Sequence, residues 1–181
     1  MAETLGSIID KLIIKRIRLH HLEKMAPTAK IKPAIRLVNQ QIEDYTSEIE
    51  DFLKKAVKGE VIIKEPKIKL YKNPPSALNL KKINKLGKLI DLLSKINTRQ
   101  WDLEDQIREK GIAFKKIAGL KREIDLSNKD RNDSIDRIDE VLEKQINSHT
   151  KTSPAAARNK ELSNRSKLRG IFGVGIKQCQ K

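Results

Sequence analysis

Residues 8–23, IIDKLIIKRIRLHHLE, and residues 89–104, LIDLLSKINTRQWDLE, share one amphipathic pattern. The two stretches align without a gap at an offset of 81 residues. Ile, Asp, Leu, Arg and Glu recur at equivalent positions, and His20 falls on Trp101. The apolar residues of both recur at three- and four-residue steps, as on one side of an α-helix. The alignment therefore indicates a duplicated helical unit.

Each copy is followed by a second apolar stripe, which predicts two helical hairpins. The expected helices run over residues 4–25, 33–58, 79–110 and 112–147. Gly59 and Gly111 are placed to end the second and third helices, and the second stripe ends at Val57. A hairpin cannot bury its apolar stripe alone, so two hairpins are expected to face each other. We therefore predict an all-α fold of two related antiparallel helical hairpins that form a four-helix bundle-like domain.

A Pro-containing connector divides the chain. The expected divisions are a first hairpin at 1–58, a linker at 59–79, a second hairpin at 80–147 and a basic, flexible tail at 148–181. The linker alternates Ile and Val loosely with Lys, so it has room for a short β-ribbon. It ends in regular-structure breakers at Asn73-Pro74-Pro75.

Charge and cysteine content restrict the class of protein. The chain has a net charge of +15, and residues 150–181 hold eight bases against one acid. A basic field of this size attracts polyanions. The single cysteine excludes an internal disulfide and fits a cytoplasmic location. Charged residues cross the N-terminal apolar stretch, so neither a signal peptide nor a membrane span is expected there.

A first candidate site lies beside the seam of the third helix. Its members share one side of that helix: Asn97, Trp101, Glu104, Asp105 and Arg108. In a functional interpretation, the carboxylates bind a cation or sugar hydroxyls while the only Trp supplies a stacking face. In a structural interpretation, Trp101 packs on the partner hairpin and the charges form surface ion pairs. The sequence favours the structural interpretation and leaves the functional one open.

A second candidate interrupts the seam of the fourth helix. Asn128 and Arg131 stand where apolar residues are expected, and the candidate also includes Asn132, Asp133 and Asp136. A polar layer of this kind either forms a binding site or fixes the register of the helices. The sequence gives both interpretations equal weight.

Hairpin geometry connects the two candidates. A turn near Gly111 places Arg131 opposite Asn97, so that one polar layer joins the third and fourth helices. A buried arginine requires a carboxylate partner, and Asp91 or Glu104 is the expected one.

A weaker candidate in the first hairpin consists of Arg18, His20, His21 and Glu23, since His with a carboxylate can bind metal or transfer protons. Adjacent residues on a helix point about 100° apart, so the two imidazoles do not easily share a metal ion. We therefore expect no metal site and no cofactor, and we assign no catalytic residue.

Three motifs lie along these helices: GxxIDK near the start, NxxxWxxEDxIR in the middle and RNDxIxxID near the end. Their matching positions are Ser7, Asp10, Lys11, Asn97, Trp101, Glu104, Asp105, Arg108, Asn128, Arg131, Asn132 and Asp133. In these motifs, over residues 5–142, the chain resembles a group of uncharacterised bacterial helical proteins that are catalogued as domains of unknown function.

A related family of unknown function is similar in its WxxED and RND segments and in a segment like KLYKNP, here residues 69–74. Genes of that family often lie near glycosyltransferases for envelope polysaccharide, so the resemblance implies a role in glycan assembly by association. The linker is longer than the pattern of the first group suggests, and the basic tail has no counterpart in it.

Three classes of function follow. The leading expectation is a helical binding or accessory protein linked to cell-envelope glycan synthesis, with a protein or an anionic ligand as its partner. The basic surface and tail support a second class, a nucleic-acid-binding module that contacts phosphates. The third class is a sugar or nucleotide-sugar enzyme that uses Glu104 and Asp105 as acid and base. Adjacent carboxylates diverge on a helix, which weakens that pairing.

Overall fold

Four α-helices make up most of the described chain. The computed structural model describes residues 3–26, 28–64 and 78–152. The helices are α1 (Leu5–Glu23), α2 (Ile31–Lys58), α3 (Leu86–Ile107) and α4 (Phe114–Thr152), and a 3₁₀ turn covers Leu80–Lys82. No strand occurs in the described residues, and α1 packs with α2 as α3 packs with α4. The predicted all-α, bundle-like fold is confirmed.

The chain forms two compact units. The first ends at Glu143, and the second begins at Lys144. In the second unit the structure describes residues 144–152, which are helical. The linker segment 65–77, which includes most of the expected β-ribbon, and the tail beyond residue 152 lie outside the described residues. None of the described helices combines the length and hydropathy of a membrane-crossing segment.

α1 is the most enclosed helix of the first unit. Its residues 4–15 are all buried or half-buried, because apolar side chains occupy nearly every side of this stretch. The hydroxyl of Thr4 caps the helix and accepts a hydrogen bond from the backbone N–H of Ser7. On the side of α2, Leu19 belongs to the same apolar cluster as Ile42. A polar side chain in this enclosed part of α1 therefore needs a hydrogen-bond partner from a neighbouring helix.

The directions of the helices follow from their contacts. Gly6 and Asp10 of α1 bind Asp139 and Arg131 of α4, respectively, so α1 and α4 run antiparallel. Short turns join α1 to α2 and α3 to α4, and the helices of each pair pack together. α1 therefore runs parallel to α3, and both hairpin turns lie at the same end of the bundle.

Two glycines with a positive φ follow helices, and one of them caps a helix. Gly59 is the C-cap of α2 with a φ of 75°, in the left-handed region that glycine adopts without steric cost. Gly111, with a φ of 81°, lies in the turn between α3 and α4. Gly59 ends α2 as predicted, but the predicted end of α3 at Gly111 is wrong. α3 ends at Ile107 with Arg108 as its C-cap, because the amides of Arg108 and Glu109 bond to carbonyl oxygens three residues back.

One position of the predicted α2 stripe is wrong. Val57 is 62% exposed, whereas Ala56 is buried. Ala56 lies four residues after the buried Phe52, so the four-residue step continues through the smaller side chain. Val57 is more apolar than Ala56, but the spacing along the helix, not hydropathy, decides which side chain faces the core.

The start of α3 also differs from the prediction. The helix begins at Leu86, and the residues before it form the 3₁₀ turn and an extended connection. Arg137 of α4 binds the carbonyl oxygens of Lys81 and Ile83, which a continuous helix would use in its own hydrogen bonds. A tertiary contact therefore sets this boundary.

Candidate functional site

A buried polar layer joins α1, α3 and α4 around the carboxylate of Asp10. Arg131 donates from Nε to Oδ1 of Asp10 over 2.8 Å and from a terminal guanidinium nitrogen to Oδ2. Asn97 donates from Nδ2 to the same Oδ1 over 2.8 Å and to the carbonyl oxygen of Leu93 over 3.1 Å. Asp10 and Asn97 are buried, and Arg131 is half-buried. One carboxylate therefore connects three helices.

Arg131 supplies what a buried carboxylate requires. A planar guanidinium binds both oxygens of a carboxylate and compensates the charge that burial would otherwise penalise. The hydrogen bond from Arg131 to Asp10 raises the pKa of the guanidinium, and this effect outweighs the opposing effect of burial. The contacts of this group suit an internal cross-link between α1 and α4.

The polar layer between α3 and α4 contains the expected Asn97 and Arg131, but the expected carboxylate partner is wrong. Arg131 pairs with Asp10, whereas Asp91 pairs with Lys95 over 2.8 Å on the exposed side of α3. The other expected partner, Glu104, lies within 3.6 Å of Arg108. The correct partner comes from the first hairpin because α1 packs against both helices of the second.

A second contact holds the start of α1 against α4. The buried carboxylate of Asp139 accepts a hydrogen bond from the backbone N–H of Gly6, with an N–Oδ1 distance of 2.8 Å. This N–H belongs to the first turn of the helix, where backbone donors have no partner within the helix. A Cβ at Gly6 would lie 2.6 Å from the carbonyl oxygen of Ile135. Only glycine allows the helices to approach this closely.

Arg137 forms a third polar anchor on α4. Its guanidinium donates to the carbonyl oxygens of Lys81 and Ile83 at 3.2 Å and to Oδ1 of Asn84 at 2.6 Å. It also pairs with Glu140 over 3.0 Å. Although burial tends to raise the pKa of Glu140, its hydrogen bonds from Lys64 and Arg137 lower it. Arg137 therefore ties the connection before α3 to α4.

Trp101 stacks on His21 where α3 meets α1. The ring centroids lie 4.8 Å apart and the ring planes differ by 17°. Both side chains are half-buried, so part of each ring remains exposed to water. The aromatic contact joins the two hairpins, as the structural interpretation of Trp101 expects.

The charged neighbours of Trp101 pair with one another along α3. Arg108 lies 3.1 Å from Asp105 and 3.6 Å from Glu104, with its side chain 66% exposed. One residue before Trp101, Gln100 donates to Oδ1 of Asn128 over 2.7 Å. These are surface pairs of the kind that contribute little to stability.

The remaining candidates lie on α4 next to the buried layer. Asn132 is exposed, and Asp133 is half-buried with Lys129 3.7 Å away. Asn128 is exposed, and the polar residues that the α4 seam buries beside Arg131 are Ser127 and Ser134.

Sequence reasoning missed Asp10, Asp139 and Arg137 as members of the polar contacts. For Asp10 a signal was present, because it is the one acid between Leu5 and Leu22 and stands among Ile8, Ile9, Leu12 and Ile13. Gly6 and Asp139 also stand at lettered positions of the GxxIDK and RNDxIxxID motifs. These two motifs therefore meet in the fold through the Gly6–Asp139 and Asp10–Arg131 contacts.

No group of three or more metal-ligating side chains comes together among the described residues. In the comparison with protein families, residues 87–163 match a model described as protein of unknown function (DUF4254). Comparisons with curated proteins and with solved structures give no match. The matched region includes Asn97, Arg131 and Asp139, whereas their partners on α1 lie before it. Over α3 and α4, the chain is thus similar to a family of unknown function.

Proposed function

We propose that the chain is a helical binding or accessory protein in cell-envelope glycan synthesis, with a ligand site around Trp101. The observation that carries this proposal is the half-exposed stack of Trp101 on His21, next to charged side chains of α3. An aromatic face with a few polar groups beside it is a usual composition of small-ligand sites. The link to glycan synthesis rests on the resemblance to families encoded near glycosyltransferases.

Within the proposed site, the residues have two roles. Glu104, Asp105 and Arg108 lie one and two turns beyond Trp101 and supply hydrogen-bonding groups for hydroxyls or for an acidic substituent. Asn97 and Arg131 are positioning residues, because both bind the buried Asp10 and hold α3 in place under the ring pair.

On α4, Asn128, Asn132 and Asp133 complete the proposed site from the second helix of the hairpin. Of these, Asn128 is tied to α3 through Gln100. A ligand that rests on the ring pair and reaches α4 would therefore contact both helices of the second hairpin.

The test uses the fluorescence of Trp101, the only tryptophan of the chain. The full chain is titrated with nucleotide sugars and with acidic oligosaccharides, and we expect a saturable change in emission. In E104Q/D105N we expect affinity to fall about tenfold, since the hydrogen bonds of two carboxylates are lost. The matched control D91N changes an exposed carboxylate near the other end of α3 and should leave affinity unchanged.

Two results would count against this site. One is an emission that responds to none of these compounds. The other is a response that D91N and E104Q/D105N change equally. The accessory role has its own test: co-purification of the full chain with a glycosyltransferase, weakened in W101A, supports it, and equal co-purification of W101A opposes it.

The net charge supports a second candidate function, binding of nucleic acid through the basic surface and tail. The tail carries eight bases against one acid in residues 150–181. Phosphate contacts of this kind weaken steeply with salt, and three Phe, two Tyr and one Trp offer few surfaces for base stacking. Binding to DNA that is unchanged in a chain ending at residue 149 would contradict a role for the tail.

A further inference from the structure

Positive charge is concentrated at one end of the bundle. We define the turn end as residues 15–36 and 101–122, which contain the two hairpin turns and the adjacent helix ends. The turn end holds thirteen Lys or Arg and five Asp or Glu. The other described residues of the first unit, 3–14, 37–64, 78–100 and 123–143, hold fourteen bases and seventeen acids. The surplus of positive charge in the described first unit therefore comes from its turn end.

Each hairpin turn also presents a large apolar side chain to solvent. Met25, just after α1, is 54% exposed, and Phe114, the first residue of α4, is 91% exposed. Three exposed lysines accompany each of them: Lys24, Lys30 and Lys32 beside Met25, and Lys110, Lys115 and Lys116 beside Phe114. The same combination of one apolar tip and three lysines thus occurs in both turns.

The two tips act together because the bundle holds both turns at one end. α1 and α3 run parallel, and the Asp10 layer and the stack of Trp101 on His21 fasten them to each other. A flat target that contacts one turn is therefore within reach of the other. The bundle therefore presents Met25 and Phe114, each accompanied by three lysines, at one end of its packed helices.

We propose that the turn end docks on a bilayer that contains anionic phospholipids, with Phe114 and Met25 entering the interface and the lysines contacting the headgroups. Basic residues close to an anionic leaflet are attracted to it, and an exposed aromatic side chain among them gains by leaving water. The turn end also contains Trp101 and its charged neighbours. Met25, Phe114 and their six lysines are not part of the ligand site proposed above, so different variants test the two proposals.

Apolar exposure favours a membrane over nucleic acid as the occupant. Phosphate contacts need lysines but give no role to a side chain such as Met25, and an almost fully exposed Phe has no benefit from phosphate oxygens. At a bilayer, both side chains gain from the acyl region directly below the headgroups. An anionic bilayer therefore accounts for both the lysines and the exposed apolar side chains of the turn end.

Sedimentation with vesicles tests the proposal. The full chain is mixed with vesicles of phosphatidylcholine and phosphatidylglycerol in equal parts, and with vesicles of phosphatidylcholine alone. We expect binding to the first and little to the second. K110Q/K115Q/K116Q should weaken binding to the anionic vesicles about a hundredfold, from roughly fivefold per lysine. F114S should weaken it about tenfold through the lost apolar contact.

Matched controls change the same residue types at the opposite end of the bundle. K81Q/K82Q/K85Q removes three exposed lysines before α3, and V57S removes an exposed apolar side chain near the end of α2. Both controls keep the tail, and we expect each to lower vesicle binding less than twofold, because these sites face away from a bilayer at the turn end. All changed side chains are exposed, so circular dichroism should show unchanged helicity.

Three outcomes overturn the proposal. In the first, the chain does not bind anionic vesicles. In the second, the two triple lysine variants lose vesicle binding equally, which indicates a response to total charge. In the third, F114S binds vesicles as the unchanged chain does, while K110Q/K115Q/K116Q loses binding to duplex DNA, which assigns the turn end to nucleic acid.

Discussion

Arg131 binds both carboxylate oxygens of Asp10, a residue 121 positions earlier in the chain. This pair, with Asn97 as a third member, connects α1 of the first hairpin to both helices of the second. The bundle is therefore held together by a buried charge pair as well as by its aliphatic core. Its members differ in exposure, since the side chain of Asp10 is 4% exposed and that of Arg131 27%.

The difference in exposure predicts unequal effects of the single variants. R131M leaves an enclosed carboxylate without its charge partner and should lower the free energy of unfolding by about 3–5 kcal/mol. D10N leaves Arg131, which retains access to water, and should cost less, about 1–3 kcal/mol. Urea unfolding of the full chain measures both values.

The control for this pair is R99M, which breaks the exposed contact between Arg99 and Glu123 at 3.0 Å. Exposed pairs contribute about 0–1 kcal/mol, so R99M should unfold nearly as the unchanged chain does. If D10N costs more than R131M, Asp10 is not the enclosed member of the pair.

Close approach at Gly6 predicts a glycine that alanine cannot replace. G6A places a Cβ 2.6 Å from a backbone oxygen of α4, so the helices must separate, and we expect a loss of about 1–3 kcal/mol. In contrast, a Cβ at Gly87 or Gly119 meets nothing within 4 Å. G87A and G119A should each stabilise the protein by about 0.4–1 kcal/mol, because alanine favours the helix. Thermal unfolding that ranks G6A with these two variants would contradict the packing described for α1.

From the contacts of Arg137 we predict that this side chain slows hydrogen exchange locally, in the segment before α3, and not throughout the protein. In R137M the carbonyl oxygens of Lys81 and Ile83 lose their side-chain donor, so the 3₁₀ turn should open more often. We expect the amides of Lys82 and Ile83 to exchange with deuterium at least about tenfold faster, whereas those of α2 stay unchanged. The exposed-site variant R108M should leave all of these rates unaltered. Unchanged exchange in R137M would show that the turn forms without Arg137.

Glu140 predicts a specific dependence of stability on pH. Its pKa in the folded protein lies below the ordinary 4.5, because hydrogen bonds from Lys64 and Arg137 outweigh the effect of burial. The unfolded chain therefore binds the proton more readily, and the stabilisation is complete above pH 4.5 and lost as the pH falls through the folded pKa. The difference in unfolding free energy between the unchanged chain and E140Q should then be constant near neutral pH and shrink in acid. A difference that grows in acid would have the wrong sign.

The sequence predicted the helices more successfully than the partners of its polar residues. The three- and four-residue steps identified α1 and α2 closely, and Gly59 ended α2 as expected. The start of α3 was misplaced because it depends on Arg137, which is distant in the chain. Periodicity reports which side of a helix is apolar and carries no information about such long-range contacts.

In the polar layer, too, the positions of residues along the helices were predictable and their long-range partners were not. Asn97 and Arg131 are expected on facing helices, and both bind Asp10 in the polar layer. Asp91 and Glu104 are acids near Asn97 in sequence, whereas the actual partner, Asp10, lies on α1, which contacts both α3 and α4. The apolar neighbours of Asp10 in the sequence indicate a buried carboxylate at this position.

A double-mutant cycle on Asp10 and Arg131 tests most directly whether a buried charge pair fastens the first hairpin to the second. The cycle compares D10L, R131M and D10L/R131M by urea unfolding of the full chain. Because an apolar pair needs no compensating charge, the double variant should be less destabilised than the sum of the single variants, with a coupling of at least about 2 kcal/mol. Additivity within about 0.5 kcal/mol would show that the two side chains do not stabilise each other in the folded protein.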